Sequence, residues 1–133
     1  MEDNRPRILV VDDEPDVCQS LASFISKRIN CDIEIATDGR QALEKLKVEK
    51  FDVALLDINM PGLSGIDVIK EAVKFTPQTR ILAISAYDSQ EIAAKALEEG
   101  AIDYIHKPHS IEAIELKVKD ILIKIGKYQD KKA

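Results

Sequence analysis

Five side chains in this sequence of 133 residues could share one piece of chemistry. Three are acids. Asp12 and Asp13 follow the apolar run ILVV, and Asp57 follows VALL. The other two, Ser85 and Lys107, close the apolar stretches that begin near Arg80 and Ile102. Three carboxylates drawn within a few ångströms repel one another, since two unit charges about 4 Å apart cost about 4 kcal/mol at an effective dielectric near 20. Either their pKa values rise or a cation sits among them. A hard divalent ion with oxygen ligands answers the repulsion. Mg²⁺ suits one or two carboxylates plus water and a phosphate, with Mn²⁺ as the alternative. No soft ligand is at hand, so zinc and copper are not expected. A lysine beside such an ion, together with a serine hydroxyl, matches the oxygens of a phosphoryl group. With a carboxylate nucleophile present, the chemistry is phosphoryl transfer to Asp57, giving an aspartyl phosphate.

These residues meet only if the chain between them folds accordingly. Val53 to Leu56 is an unbroken apolar run, as expected of a strand buried on both faces of a parallel sheet. Ile8–Val11, Ile33–Ala36, Arg80–Ser85 and Ile102–Ile105 read as four more strands. Between them lie helical patterns. Pro15 stands at a first helical position, and Val17, Leu21, Phe24 and Ile25 recur at helical spacing to about Ile29. Asp38 caps a second helix with Ala42, Leu43 and Leu46 inward, and Ser64 caps a third carrying Ile66, Ile69, Ala72 and Val73. Asp88 with Glu91 reads as a capping arrangement for a fourth helix with Ile92, Ala93, Ala96 and Leu97 inside, ended by Gly100. Ser110 caps a fifth that buries Ile111, Ile114, Val118, Ile121, Leu122 and Ile125.

Five strands alternating with five helices predict an α/β fold: a five-stranded parallel sheet with right-handed crossovers and helices on both faces. The flavodoxin-like order 2-1-3-4-5 is taken over from known five-stranded doubly wound sheets, since spacing alone does not supply it. In that order strands one and three are neighbours, so Asp12, Asp13 and Asp57 gather at one edge, with Ser85 and Lys107 beside them. The length suits one domain, residues 7–125. Residues 1–6 are expected as a flexible tail, and residues 126–133 as a polar tail or the start of a linker. The chain is 45% hydrophobic and 32% charged, enough for a packed core. Its net charge of -5 argues against nucleic-acid binding by this segment. No apolar run reaches the roughly 20 residues that span a bilayer, and no leader pattern opens the chain. Cys18 and Cys31 are expected as free thiols of a cytoplasmic protein.

Taken in this order and at these strand ends, Asp12-Asp13, Asp57, Ser85 and Lys107-Pro108 resemble the receiver domain of two-component response regulators, over about residues 6–125. The resemblance implies that Asp57 is the phosphoacceptor. It implies that Asp12, Asp13 and Asp57 hold Mg²⁺, with the backbone carbonyl of Asn59 completing the protein ligands. Lys107 would pair with the phosphoryl group, ahead of a cis peptide at Pro108. Ser85 would move toward the phosphoryl group while Tyr104 turns inward. The side chains of Asn59 and Tyr87 flank the site, where the family tunes dephosphorylation. The donor would be a sensor histidine kinase or a histidine phosphotransfer protein. The protein would be a signalling switch, not an enzyme acting on a separate substrate, and the surface of the fourth helix, fifth strand and fifth helix would change on phosphorylation and could support a homodimer.

Taken singly, these residues have plainer readings. Asp12 and Asp13 could cap the first helix, Ser85 could satisfy nearby backbone, and Tyr104 could be a half-buried strand aromatic. His106 and His109 read as surface or loop residues. Two other functions compete with this one. A flavin-binding module needs a Ser/Thr/Gly-rich loop after the first strand, where Asp12, Asp13 and Glu14 stand. An aspartate-nucleophile phosphatase carries Asp-x-Asp after the first strand, whereas Asp57 lies on the third and Asn59 replaces the second aspartate. Leu116 and Ile123 lie roughly 120–140° from the buried stripe of the last helix, given 100° per residue. The plain reading is scattered exposed apolar residues, which are normal on a surface; the alternative is a contact face on the outer side of the last helix for pairing or docking.

Overall fold

In the computed structural model, which describes residues 5–86, 90–106 and 110–131, β-strands and α-helices alternate throughout. They run β1 (Arg7–Val11), α1 (Pro15–Ser26), β2 (Asp32–Ala36), α2 (Gly39–Val48), β3 (Val53–Asp57), α3 (Gly65–Phe75), β4 (Arg80–Ser85), α4 (Gln90–Glu99), β5 (Asp103–His106) and α5 (Ile111–Lys124). The five strands form one sheet in the order β2-β1-β3-β4-β5, and every pairing is parallel. Both the fold class and the order match the sequence-based expectation.

The side-chain period of two along each strand divides the core into two layers. Ile8, Val10, Val53, Leu55, Leu82 and Ile84 face α1 and α5, meeting Leu21, Ile25, Val118 and Leu122. Leu9, Val11, Ala54, Leu56, Ile81 and Ala83 face the other way and meet Ala42, Leu46, Val68, Ile69 and Ala72. β3 is buried along its whole length. It sits between β1 and β4, with helices on both faces, and so it requires an unbroken apolar run.

Three of the expected caps form. Asp38 accepts from the Gln41 amide, Ser64 from the Asp67 amide and Ser110 from the Ala113 amide, each satisfying a helix-end donor. Asp88 lies outside the described residues. Gly100 ends α4 at φ +130°, a conformation open to glycine, with Val73 too close for a Cβ.

Several expectations need correction. α1 stops at Ser26, short of Ile29, because residues 27–30 turn and pair elsewhere. On α4 only Ala96 is buried, and Leu97 is 46% exposed. An alanine-rich helix lies close to the sheet on a narrow stripe, and Leu97 falls outside it. Val68, not singled out from the sequence, is buried on α3. β5 begins one residue late, at Asp103, and Ile102 is 45% exposed.

The stretch after Gly126, expected as a polar tail or the start of a linker, lies folded back as far as Lys131. Its backbone bridges antiparallel to Ile29. The Asn30 amide donates to the Gln129 carbonyl at 2.8 Å, and the Asn30 side chain donates to that of Gln129 at 2.7 Å. Tyr128 packs on the α1–α5 layer of the core, and Lys127 reaches Asp52 at 2.9 Å.

Candidate functional site

β1 and β3 end side by side, with Val11 opposite Leu56. Beyond the registered pairs the ladder continues. The Asp12 amide donates to the Ala36 carbonyl, and the Ile58 amide to the Ile84 carbonyl at 2.8 Å. The backbone on either side of the two acids is therefore held by the sheet, and their carboxylates project at its mouth, where open α/β sheets bind ligands. Carboxylate oxygens of Asp12, Asp13 and Asp57 lie within 4.8 Å of one another. Asp12 and Asp57 are buried and Asp13 is exposed.

Local hydrogen bonds orient two of the acids. The Glu14 amide donates to Asp12 Oδ1 at 3.0 Å, and the Asn59 amide donates to Asp57 Oδ1 at 3.0 Å. The helix-cap reading of Asp12 and Asp13 therefore holds only in altered form: Glu14 is the N-cap of α1 and its side chain makes no capping bond. Asp12 instead fixes the backbone at that cap. Behind the pair, the Cys18 thiol is pushed up to about 11, first by burial and then by the Asp12 carboxylate. It contacts the Asp12 and Ala36 carbonyls.

The loop after β3 is pressed onto the strand it leaves. A Cβ at Gly65 would stand 2.5 Å from Ile58 Cα and 2.8 Å from the Asp57 carbonyl oxygen. Glycine is what lets α3 start this close to Asp57. Ser85, fully buried at the end of β4, accepts a hydrogen bond from Asn59 Nδ2 at 2.8 Å. Tyr104 lies opposite Ala83 on β5, half-buried and packed against the core layer of α2, α3 and α4. A cleft of about 550 Å³ opens beside the acids, lined by Val17, Leu21, Ile111 and Ile114 together with Asp12 and Asp57.

The structure thus gathers Asp12, Asp13 and Asp57, and it brings Asn59 and Ser85 together next to them. Lys107, Pro108, His109 and Tyr87 lie outside the described residues. His106 is separate from the acidic cluster, its ring within 3.2 Å of the Ala86 carbonyl. Cys18 and Cys31 are both free. Sequence reasoning placed both the backbone carbonyl and the side chain of Asn59 at the site, and missed the bond from that side chain to Ser85. It also missed Gly65 as a spacer, although the residue follows a helix-capping serine in the loop after Asp57.

A parallel five-stranded sheet with paired acids at one strand tip and a third at the next defines a class. Residues 8–119 match the family model of the response regulator receiver domain, and the chain belongs to that family. It is 40% identical over 102 residues to the chemotaxis protein CheY of Thermotoga maritima, an alignment covering 77% of this chain and 85% of CheY. It is 36% identical over 115 residues to the transcriptional regulatory protein ZraR of Klebsiella oxytoca, covering 86% of this chain. The chain spans only 26% of the length of that regulator. Among solved structures it resembles a Burkholderia pseudomallei response regulator described with a phosphorylated aspartic acid, a calcium ion and citrate. The TM-score is 0.79 at 26% identity, over 91% of this chain and 71% of that one. No helix among the described residues is long and apolar enough to cross a membrane.

Proposed function

We propose that this chain is a phosphorylation switch that takes a phosphoryl group from a sensor histidine kinase or histidine phosphotransfer protein onto Asp57. The observation that carries the reading is the placement of Asp57: a buried carboxylate on a wholly buried strand, within 4.8 Å of two others. In the transfer, an Asp57 oxygen attacks phosphorus and the P–N bond of the phosphohistidine donor breaks. The imidazole leaves with the electron pair, and an acyl phosphate remains on Asp57. The Asn59 amide, already donating to Oδ1, holds the carboxylate in one orientation during the attack.

Three carboxylates with oxygen donors alone fit a hard divalent ion, Mg²⁺ or Mn²⁺. Asp12, Asp13 and Asp57 would hold it, with the carbonyl of Asn59. The ion would supply positive charge against the acids and the phosphoryl oxygens. Lys107 is proposed as the pairing cation for the phosphoryl group.

The output is a population shift between two conformations. Ser85 turns toward the new phosphoryl group and Tyr104 follows into the layer against which it already packs. The outer surface of α4, β5 and α5 changes in response. Exposed apolar residues support this as a contact face for a partner or a second copy: Leu116 is 59% and Ile123 54% exposed. Signalling of this kind places the protein in the cytoplasm and leaves any DNA contact to other segments. Acetyl phosphate should give acid-labile, Mg²⁺-dependent labelling that Asp57→Asn abolishes. Equal labelling of the variant would overturn the assignment.

A further inference from the structure

We propose that the Asn59 side chain is a latch that holds the Ser85 hydroxyl in its resting position and thereby opposes the switch. The inference rests on Asp57 being the phosphoacceptor. Asn59 makes two bonds at once: its backbone amide donates to Asp57 Oδ1 at 3.0 Å, and its side-chain amide donates to Ser85 Oγ at 2.8 Å. One residue therefore ties the acceptor carboxylate to the hydroxyl that must move toward it. The backbone around the latch is fixed, because the Ile58 amide is bonded to the Ile84 carbonyl at 2.8 Å. Rotation of the Ser85 side chain is then enough to break the contact.

Ser85 turns about a single χ1 bond with three staggered wells. In the proposed switch, the rotation that brings its oxygen to a phosphoryl group on Asp57 gives up the contact with Asn59 Nδ2. The two ends of the broken bond differ in what they can find next. Ser85 is fully buried, and its O–H can donate to a phosphoryl oxygen in a charge-assisted bond stronger than a neutral one. Asn59 is half-buried, so its amide can turn to water. Opening the latch therefore costs about one neutral hydrogen bond and leaves no orphaned buried donor. That corresponds to a bias of about fivefold toward the resting state. Asn59 is a positioning residue in this account: it acts on the switch through Ser85.

The test is a double-mutant cycle on the full chain, with beryllofluoride and Mg²⁺ as the phosphoryl mimic and amide NMR shifts of Ile84 and Ser85 as the readout. Asn59→Ala should lower the half-saturating beryllofluoride concentration about fivefold in the Ser85 protein and leave it unchanged in the Ser85→Ala background. The free Asn59→Ala protein should also show those amide shifts displaced toward their beryllofluoride-bound positions. Asn59→Met, similar in reach but with no donor, should do the same, and unfolding midpoints check that both variants are folded. A rise in half-saturation, or an equal fall in both backgrounds, would overturn the latch while leaving Asp57 as acceptor. A wild-type protein with no saturable response that Asp57→Asn removes would overturn the acceptor and the latch together.

Discussion

Replacing Asp57 by Asn removes one negative charge from the cluster and keeps both the shape of the side chain and an acceptor for the Asn59 amide. In the absence of divalent ions the variant should therefore be more stable than the wild type. At the 4.8 Å separation that bounds the three carboxylates, one pair repels by about 3.5 kcal/mol at an effective dielectric of 20 and by about 0.9 kcal/mol in bulk water. The exposure of Asp13 draws the true value toward the lower figure, and the burial of Asp12 toward the higher. Two of the three pairs vanish in the variant, worth about 2–7 kcal/mol together, and the weaker bond from the Asn59 amide offsets part of it, so a gain at the lower end, about 2 kcal/mol, is expected. The assay is urea unfolding in low salt with a chelator. The midpoint should rise by about 1 M with an unchanged slope. Salt near 0.1 M, where the screening length is about 10 Å, should narrow the difference only slightly, because the charges are closer than that. Magnesium should reverse the ranking. An ion bound only by the folded protein adds about 2.7 kcal/mol at a hundredfold excess over its dissociation constant, and the wild type, with three acids, should gain more than the variant. A variant less stable than wild type under chelation would refute the reasoning, as would an identical magnesium response in both proteins.

Three other outcomes are expected. Gly65→Ala should cost about 3 kcal/mol in urea unfolding, since the added methyl meets backbone atoms of Asp57 and Ile58 that cannot move without the strand; a loss under about 0.5 kcal/mol would show that the loop yields. Tyr128→Ala should cost about 1–2 kcal/mol by removing the aromatic that seats the C-terminal strap on the core, while labelling at the other end of the sheet is unaffected. Neither thiol should react with a disulfide reagent at neutral pH, because burial pushes both Cys18 and Cys31 from their ordinary 9.0 to about 11. The folded protein then keeps protons that the unfolded chain gives up, so stability holds below pH 9.0 and falls as pH rises toward about 11; flat alkaline stability would contradict it.

What was legible in the sequence was local. The apolar runs at residues 8–11, 53–56 and 81–84 announce strands, and each stops at a polar residue that the structure places at the sheet's mouth. Asp38, Ser64 and Ser110 announce helix starts, since a capping side chain reaches only three residues ahead. What stayed hidden depends on contacts distant in sequence. The Asn59–Ser85 bond joins residues 26 apart and exists because β3 and β4 are neighbours in a particular register. The Asn30–Gln129 pair spans 99 positions, and nothing in a run of polar residues tells of it. Leu97 failed for another reason. On a helix whose buried stripe is made of alanines, apolar periodicity is too weak to fix the phase.

These long-range contacts are not spread evenly over the molecule. Many gather at the end of the sheet away from the acids. Arg7 bridges Glu34 at 2.8 Å and also pairs with Glu49, and its amide is held by Asp52. Asp52 is held in turn by Lys127 from the folded-back segment. Thr76 and Thr79 share a buried hydroxyl bond at 2.7 Å, and Thr79 donates to the Phe51 carbonyl just before β3. At the opposite end stand the like charges of Asp12, Asp13 and Asp57, with backbone amides donating to Asp12 and Asp57 and the Asn59 side chain donating to Ser85. β3 is thus clamped where it begins and carries one of three neighbouring carboxylates where it ends. A strand fixed at its base can answer a change of charge at its tip with a local rearrangement, because the contacts that hold its base are left untouched.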